Sequence, residues 1–164
     1  MSRPVVVADA GPLIALAGCD CLSLLTQVFN DIHIPQTVLN ETTSDTLRPG
    51  AIRIANFVNA HAKVHPDRHD SLFLTTASYL DEGEAQAISL AKSLGCGVLI
   101  DERRGRNAVL RHGLPLFGVL GVLLQSKRIG SQEAVAPLLQ RIQNNVYRIS
   151  PLLIDAALKM ANEN

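Results

Sequence analysis

Five short runs, mostly apolar, constrain the fold of this chain more than any other feature. They are "VVVA" at Val5 to Ala8, "DIHIP" at Asp31 to Pro35, "KVHP" at Lys63 to Pro66, "GVLI" at Gly97 to Ile100 and "LPLF" at Leu114 to Phe117. Each is too short for a helix and is separated from the next by stretches with helical spacing. A strand buried on both faces reads as an unbroken apolar run rather than an alternating one. Such strands alternating with helices specify a parallel α/β sheet.

The stretches between the runs carry their own punctuation. Gly11-Pro12 turns the chain after the first run, and "LIALAGCDCLSLLTQVF" continues as one or two helices. Pro35 suits a helix start, and "QTVLNETT" follows as that helix. "SDTLRPG" is a loop, and "AIRIANFVNAHA" is a helix with Ile52, Ile54, Ala55 and Val58 as its buried side. The stretch from Leu47 to Leu80 includes "DRHDSLFLTTASY", which reads as a surface excursion. A helix over Glu82 to Leu94 has apolar residues at Ala85, Ile88, Ala91 and Leu94, and Gly95 or Gly97 ends it. Further helices are expected at Arg103 to Arg111, across "GVLGVLLQSKR", at Gln132 to Gln143 and at Pro151 to Asn162.

A chain of 164 residues suits one domain with a full core. We expect a single domain over 1–164, with 131–164 as a helical extension. Hydrophobic residues make up 47% and aromatic ones only 4%, so the core is aliphatic. Fifteen basic and fifteen acidic side chains balance to a formal net charge of zero. That balance argues against bulk capture of nucleic acid, though a local basic strip remains compatible with it. Three cysteines, Cys19, Cys21 and Cys96, read as reduced thiols of a cytoplasmic protein. "LAGC" at Leu16 to Cys19 matches a lipid-attachment box, but Asp9 and Gly11-Pro12 interrupt the apolar core that an export signal needs.

The chemistry lies in the acids. In a parallel sheet, ligands bind beyond the carboxyl ends of the strands. Asp9 follows the first strand and Asp101 the fourth, so both lie at that edge. The helix from Glu82 runs into the strand that ends before Asp101, so its first turn, with Glu84, returns to the same edge. Glu41 lies nearly two turns into its helix and joins them if that helix tilts over the edge. Taken singly, each acid has an ordinary role. Asp81 and Glu84 form a capping-box pattern, and Asp9 and Asp101 can cap the helices that follow them. Taken together, crowded carboxylates repel one another. A hard cation, Mg²⁺ or Mn²⁺, relieves the repulsion through oxygen ligands.

With these residues in view, the chain resembles the PIN-domain family, which includes VapC-like toxin ribonucleases. The matching pieces are "VVADAGPLIALA", "IPQTVLNE", "LDEGEAQAISLA" and "VLIDERRGR", with "GLPLFGVLGVLL" typical of a less-studied subgroup. The resemblance implies a three-layer fold around a five-stranded parallel sheet of order 3-2-1-4-5. It implies catalytic roles for Asp9, Glu41, Glu84 and Asp101, with Asp9, Glu84 and Asp101 holding Mg²⁺ or Mn²⁺. It also implies an RNA substrate, a homodimer and an antitoxin protein as partner. Two positions differ from the better-studied toxins: Ala10-Gly11 replaces a hydroxyl residue after the first aspartate, and no further acid stands near the last strand, where Glu102 substitutes in part. These differences define the alternative, a catalytically silent module that binds nucleic acid or a regulator.

Arg103, Arg104 and Arg106, with Arg111 beyond them, follow Asp101 and suit phosphate contacts, or else balance the nearby acids. His61, His65 and His69 are spaced by four, but Pro66 breaks the helix that would align them on a metal; they read as surface-loop residues. His33 and His112 have no evident partners. "GVLGVLL" is core or a dimer face, and the last two helices cover the sheet or clasp a partner.

Overall fold

The computed structural model describes residues 2–145 and 147–163. Its five strands are β1 (Val5–Ala8), β2 (Asp31–Pro35), β3 (Ala62–His65), β4 (Gly97–Leu99) and β5 (Leu116–Phe117). All pair in parallel, in the order β3-β2-β1-β4-β5. The helices are α1 (Ala10–Gly18), α2 (Leu24–Val28), α3 (Gln36–Thr43), α4 (Ala51–His61), α5 (Ser71–Thr76), α6 (Glu82–Leu94), α7 (Arg103–Arg111), α8 (Val119–Arg128), α9 (Ala136–Asn144) and α10 (Pro151–Met160).

The pleat sends alternate side chains to opposite faces, and β1 shows this directly. Val6 and Ala8 enter a core built with α1, α2, α4, α8 and α9, whereas Val7 enters a second core with α6 and α7. The sheet is thus the middle of three layers, as the resemblance implies. The chain winds outward from β1 to β3, then returns to the other side of β1 with β4. Strand order reverses between β1 and β4, and a ligand crevice opens at such a switch point.

Local chemistry sets α6 firmly. Asp81 accepts from the Glu84 N–H at 2.8 Å, and the Glu84 carboxylate accepts from the Asp81 N–H at 3.2 Å, a complete capping box. At the other end Gly95, with φ 69°, takes the left-handed conformation that stops the helix.

Several local readings change. Ile52 and Ala55 face solvent; α4 buries Ala51, Ile54, Phe57 and Val58 instead, because the large Phe57 side chain sets the inward stripe. The stretch taken for a surface excursion contains α5, whose Phe73 and Thr76 are buried and whose N-terminus is capped by Asp70. Helix α9 begins at Ala136, four residues later than the apolar pattern suggested. The N–H groups of Val135 and Ala136 are held by Glu163 from the far end of the chain. His65 lies in β3, half-buried, with its Nε2 2.8 Å from Nδ1 of His33 on β2. Among the described residues, no helix is long and apolar enough to cross a membrane.

Candidate metal and nuclease site

Asp9 leaves the carboxyl end of β1, and its N–H continues the ladder to Leu99 O at 3.0 Å. It occupies the N-cap position of α1, yet its side chain makes no capping bond. Only 7% of the residue is exposed. Burial pushes its carboxyl up to about 7, and the charges of Asp81, Glu41 and Asp101 push the same way, against a bond from the Ala10 N–H.

Glu84 is 5% exposed. Its Oε1 completes the capping box, while no donor reaches the buried Oε2. The neighbouring group is another acceptor, the Glu102 carboxylate. Burial raises the Glu84 carboxyl to about 8, with Asp81, Glu102 and Asp9 adding to the rise. Glu102 is held below its ordinary range by the N–H groups of Gly105 and Arg104 and by Glu84, although burial opposes this. Two acceptors face to face need a proton or a cation between them.

Asp101 does not cap α7. Strand β4 ends at Leu99, so the N-cap falls one residue later, on Glu102, which accepts from Gly105 N–H at 2.9 Å. Asp101 instead accepts from the Val119 N–H at 3.2 and 3.3 Å and from the Tyr147 hydroxyl at 2.5 Å. The Arg106 guanidinium stands 3.7 Å away. Burial raises the Asp101 carboxyl, against the pull of Tyr147, Val119 and Arg106.

Glu41 lies at the outer side of the group. Its carboxyl is raised by burial and by Asp81, Glu82 and Asp67. It rests over Gly83, where an added Cβ would come 2.8 Å from its Oε1. The same relation recurs twice. A Cβ on Gly105 would lie 2.9 Å from Glu84 Oε2, and one on Gly118 would lie 2.8 Å from Asp101 Oδ1. Three glycines therefore keep open the space beside three acids.

The structure thus gathers Asp9, Glu84 and Asp101 at one edge of the sheet, with Glu41 at its margin. It does not close them into a coordination shell: among the described residues, no group of three or more His, Cys, Asp or Glu side chains is set to hold a metal ion. Glu84 Oε1 is engaged in the cap, and Asp101 in its contacts with Val119, Tyr147 and Arg106. The donor chemistry nevertheless fits a hard divalent cation. All the donors are oxygens, Glu84 Oε2 is buried without a partner, and Asp101 has two hydrogen-bond donors against about four lone-pair positions.

Two residues of this neighbourhood were missed in the sequence. Asp81 was read only as a cap, although its charge acts on Asp9, Glu41 and Glu84. Tyr147 gives no local signal at all, since it reaches Asp101 from 46 positions away. Of the arginines, Arg106 meets Asp101 and Arg104 lies beside Glu102. Arg103 borders a cavity next to Asp101.

A family model described as a PIN domain, DUF3368, matches residues 5–163. The chain belongs to the PIN-domain family. PIN domains are generally nucleases and typically use divalent metals. Among solved structures, the chain is similar to a PilT N-terminus domain protein, SSO1118, from the hyperthermophilic archaeon Sulfolobus solfataricus P2. The TM-score is 0.56 at 16% identity, covering 74% of this chain and 92% of that one. That likeness supports the PIN fold alone. No curated protein matches in sequence.

Proposed function

We propose that this PIN domain is a ribonuclease that requires Mg²⁺ or Mn²⁺. The observation that carries the proposal is Glu84. Its buried Oε2 lacks a donor and faces another carboxylate, in a group of acids that raise one another's pKa. In this reading Asp9, Glu84 and Asp101 hold the ion, and Glu41 orients the attacking water. The ion would supply a Lewis acid that activates water and offsets charge on the phosphate. Arg106 and Tyr147 fix the Asp101 carboxylate.

We further propose that the chain acts as the toxin of a toxin–antitoxin pair and forms a homodimer. The exposed Leu152, Leu153 and Met160 of α10 support a partner surface. The alternative is a silent RNA-binding module, and one observation favours it: Tyr147 and Arg106 already engage Asp101.

Cleavage of a mixed single-stranded RNA separates the two readings. With Mn²⁺ the wild type should cut, and Asp9→Asn should lose at least ~100-fold, as expected when a group that acts on the transition state is removed. RNA binding without cleavage by the wild type would favour the silent module.

A further inference from the structure

A cavity of about 830 Å³ opens on the β5 side of Asp101. It lies within the range of ligand pockets, about 300–1,000 Å³. Its walls come from parts of the chain far apart in sequence. Helix α7 supplies Arg103 and Arg106, β5 supplies Leu116 and Phe117, and the segment before α10 supplies Tyr147, Arg148 and Ile149. Asp101 forms part of the same wall. Three guanidinium groups therefore surround a largely apolar space with a single carboxylate at one end. In a chain whose formal charge is zero, this is a local concentration of positive charge.

We infer that this cavity binds one nucleotide of the RNA, next to the phosphodiester held at the acids. The inference rests on the nuclease reading for its placement and adds the subsite and its ligand. The chemistry of a nucleotide matches both parts of the cavity. A phosphate pairs with arginines by charge-assisted bonds, and a base places its flat, weakly hydrated face on apolar and aromatic side chains. Phe117 is half-buried and braced edge-on by Phe29, with ring centres 5.1 Å apart, so it offers a fixed surface. Arg148 and Arg103 are exposed at the rim. Arg104, on the same helix as Arg103, does not line the cavity and lies beside Glu102 instead. The cavity thus separates Arg103, Arg106 and Arg148, which line it, from Arg104, which balances Glu102; Arg106 also pairs with Asp101. It also gives the C-terminal segment a share in substrate binding through Arg148.

The test is binding of uridine and adenosine 5′-monophosphates to the full chain in EDTA, followed by ¹H–¹⁵N NMR. Inorganic phosphate and the free nucleosides serve as comparison probes. The nucleotides should shift the amides of Gly118, Gly121 and Ile149, and do so at lower concentration than phosphate or nucleoside alone. Arg148→Ala and Arg103→Ala, both at exposed sites, should weaken the nucleotide Kd about 2–5-fold, the range of a single exposed ion pair. Arg104→Ala should leave it unchanged. In Mn²⁺-dependent cleavage, Arg148→Ala should raise KM and spare kcat. Three results would overturn the inference: equal shifts from phosphate and nucleotide, equal weakening by Arg104→Ala, or no shifts from nucleotides. Because the binding arm needs no metal, cleavage without nucleotide shifts sinks the subsite alone. Nucleotide shifts without cleavage sink the nuclease reading and keep the subsite.

Discussion

Replacing Glu84 with Gln separates the cost of a buried carboxylate from the benefit of a helix cap. In the native chain this carboxyl titrates at about 8 instead of 4.5. Each pH unit between those values is worth about 1.4 kcal/mol. Ionised Glu84 therefore costs the native state roughly 3–5 kcal/mol at pH 8. Glu102 returns part of this, because it is held below its ordinary range by the same pairing. With that return the net cost is on the order of 2 kcal/mol. The sign follows from an acid whose native pKa is raised. The cost is absent below the unfolded value of 4.5 and grows as pH rises toward 8. Glu84→Gln keeps an oxygen for the Asp81 N–H, loses the charge, and gains an amide that can donate to Glu102. With EDTA present, urea unfolding at pH 8 should show the variant more stable by ~2 kcal/mol, or roughly 4–8 °C in Tm for a chain of this size. At pH 5 the gain should nearly vanish, because wild-type Glu84 is then protonated. Mn²⁺ should reverse the order at pH 8 by stabilising the wild type alone. A variant destabilised at pH 8, or one whose gain is the same at both pH values, would refute the reasoning.

Three further outcomes are expected. Tyr147→Phe removes a hydroxyl that holds Asp101 and lowers its pKa; it should cost about 1 kcal/mol of stability and raise the Mn²⁺ concentration for half-maximal cleavage, whereas unchanged metal dependence would limit Tyr147 to packing. Gly118→Ala puts a methyl 2.7 Å from Arg106 Nη1 and 2.8 Å from Asp101 Oδ1, at a φ of −131° that alanine tolerates; cleavage should fall at least ~10-fold, as for a small misplacement of a catalytic group, and Tm should fall as the displaced Asp101 loosens its bonds to Val119 and Tyr147. Glu163 is pulled down to about 2 by Lys127 and the N–H groups of Val135 and Ala136, so its contribution is present above pH 4.5 and lost as pH falls through about 2; Glu163→Gln should lower Tm at pH 7, and the difference should close in a pH titration toward 2.

The parts of the fold that were legible in the sequence are those fixed by neighbouring residues. Helices α3 and α6 fall on the expected residues because Pro35, the Asp81–Glu84 box and Gly95 mark their ends locally. Strand β1 is an unbroken apolar run that a parallel sheet buries, and in β2 the buried Ile32 and Ile34 mark the strand. The placement of Asp9 and Glu84 at the carboxyl edge was legible because the edge rule needs only strand direction. What was not legible depends on distant contacts. Glu163 holds the start of α9 from 28 and 27 residues away, and Tyr147 reaches Asp101 only once the C-terminal segment has crossed β5. The capping role open to Asp101 falls to Glu102 instead, because β4 is one residue shorter than the apolar run "GVLI". The cap of α5 is a different case: Asp70 precedes Phe73 by three residues, a signal that could have been read.

Calorimetric titration of Mn²⁺ into the wild type and Asp9→Asn, at pH 8 without RNA, tests most directly whether these acids form a metal site. Asn keeps an oxygen for the Ala10 N–H and removes a buried charge, so the variant should fold at least as stably as the wild type. The expected result is saturable binding by the wild type and its loss in Asp9→Asn. Equal heats from both proteins, or no saturable heat from the wild type, would contradict the assignment of these acids as a metal site.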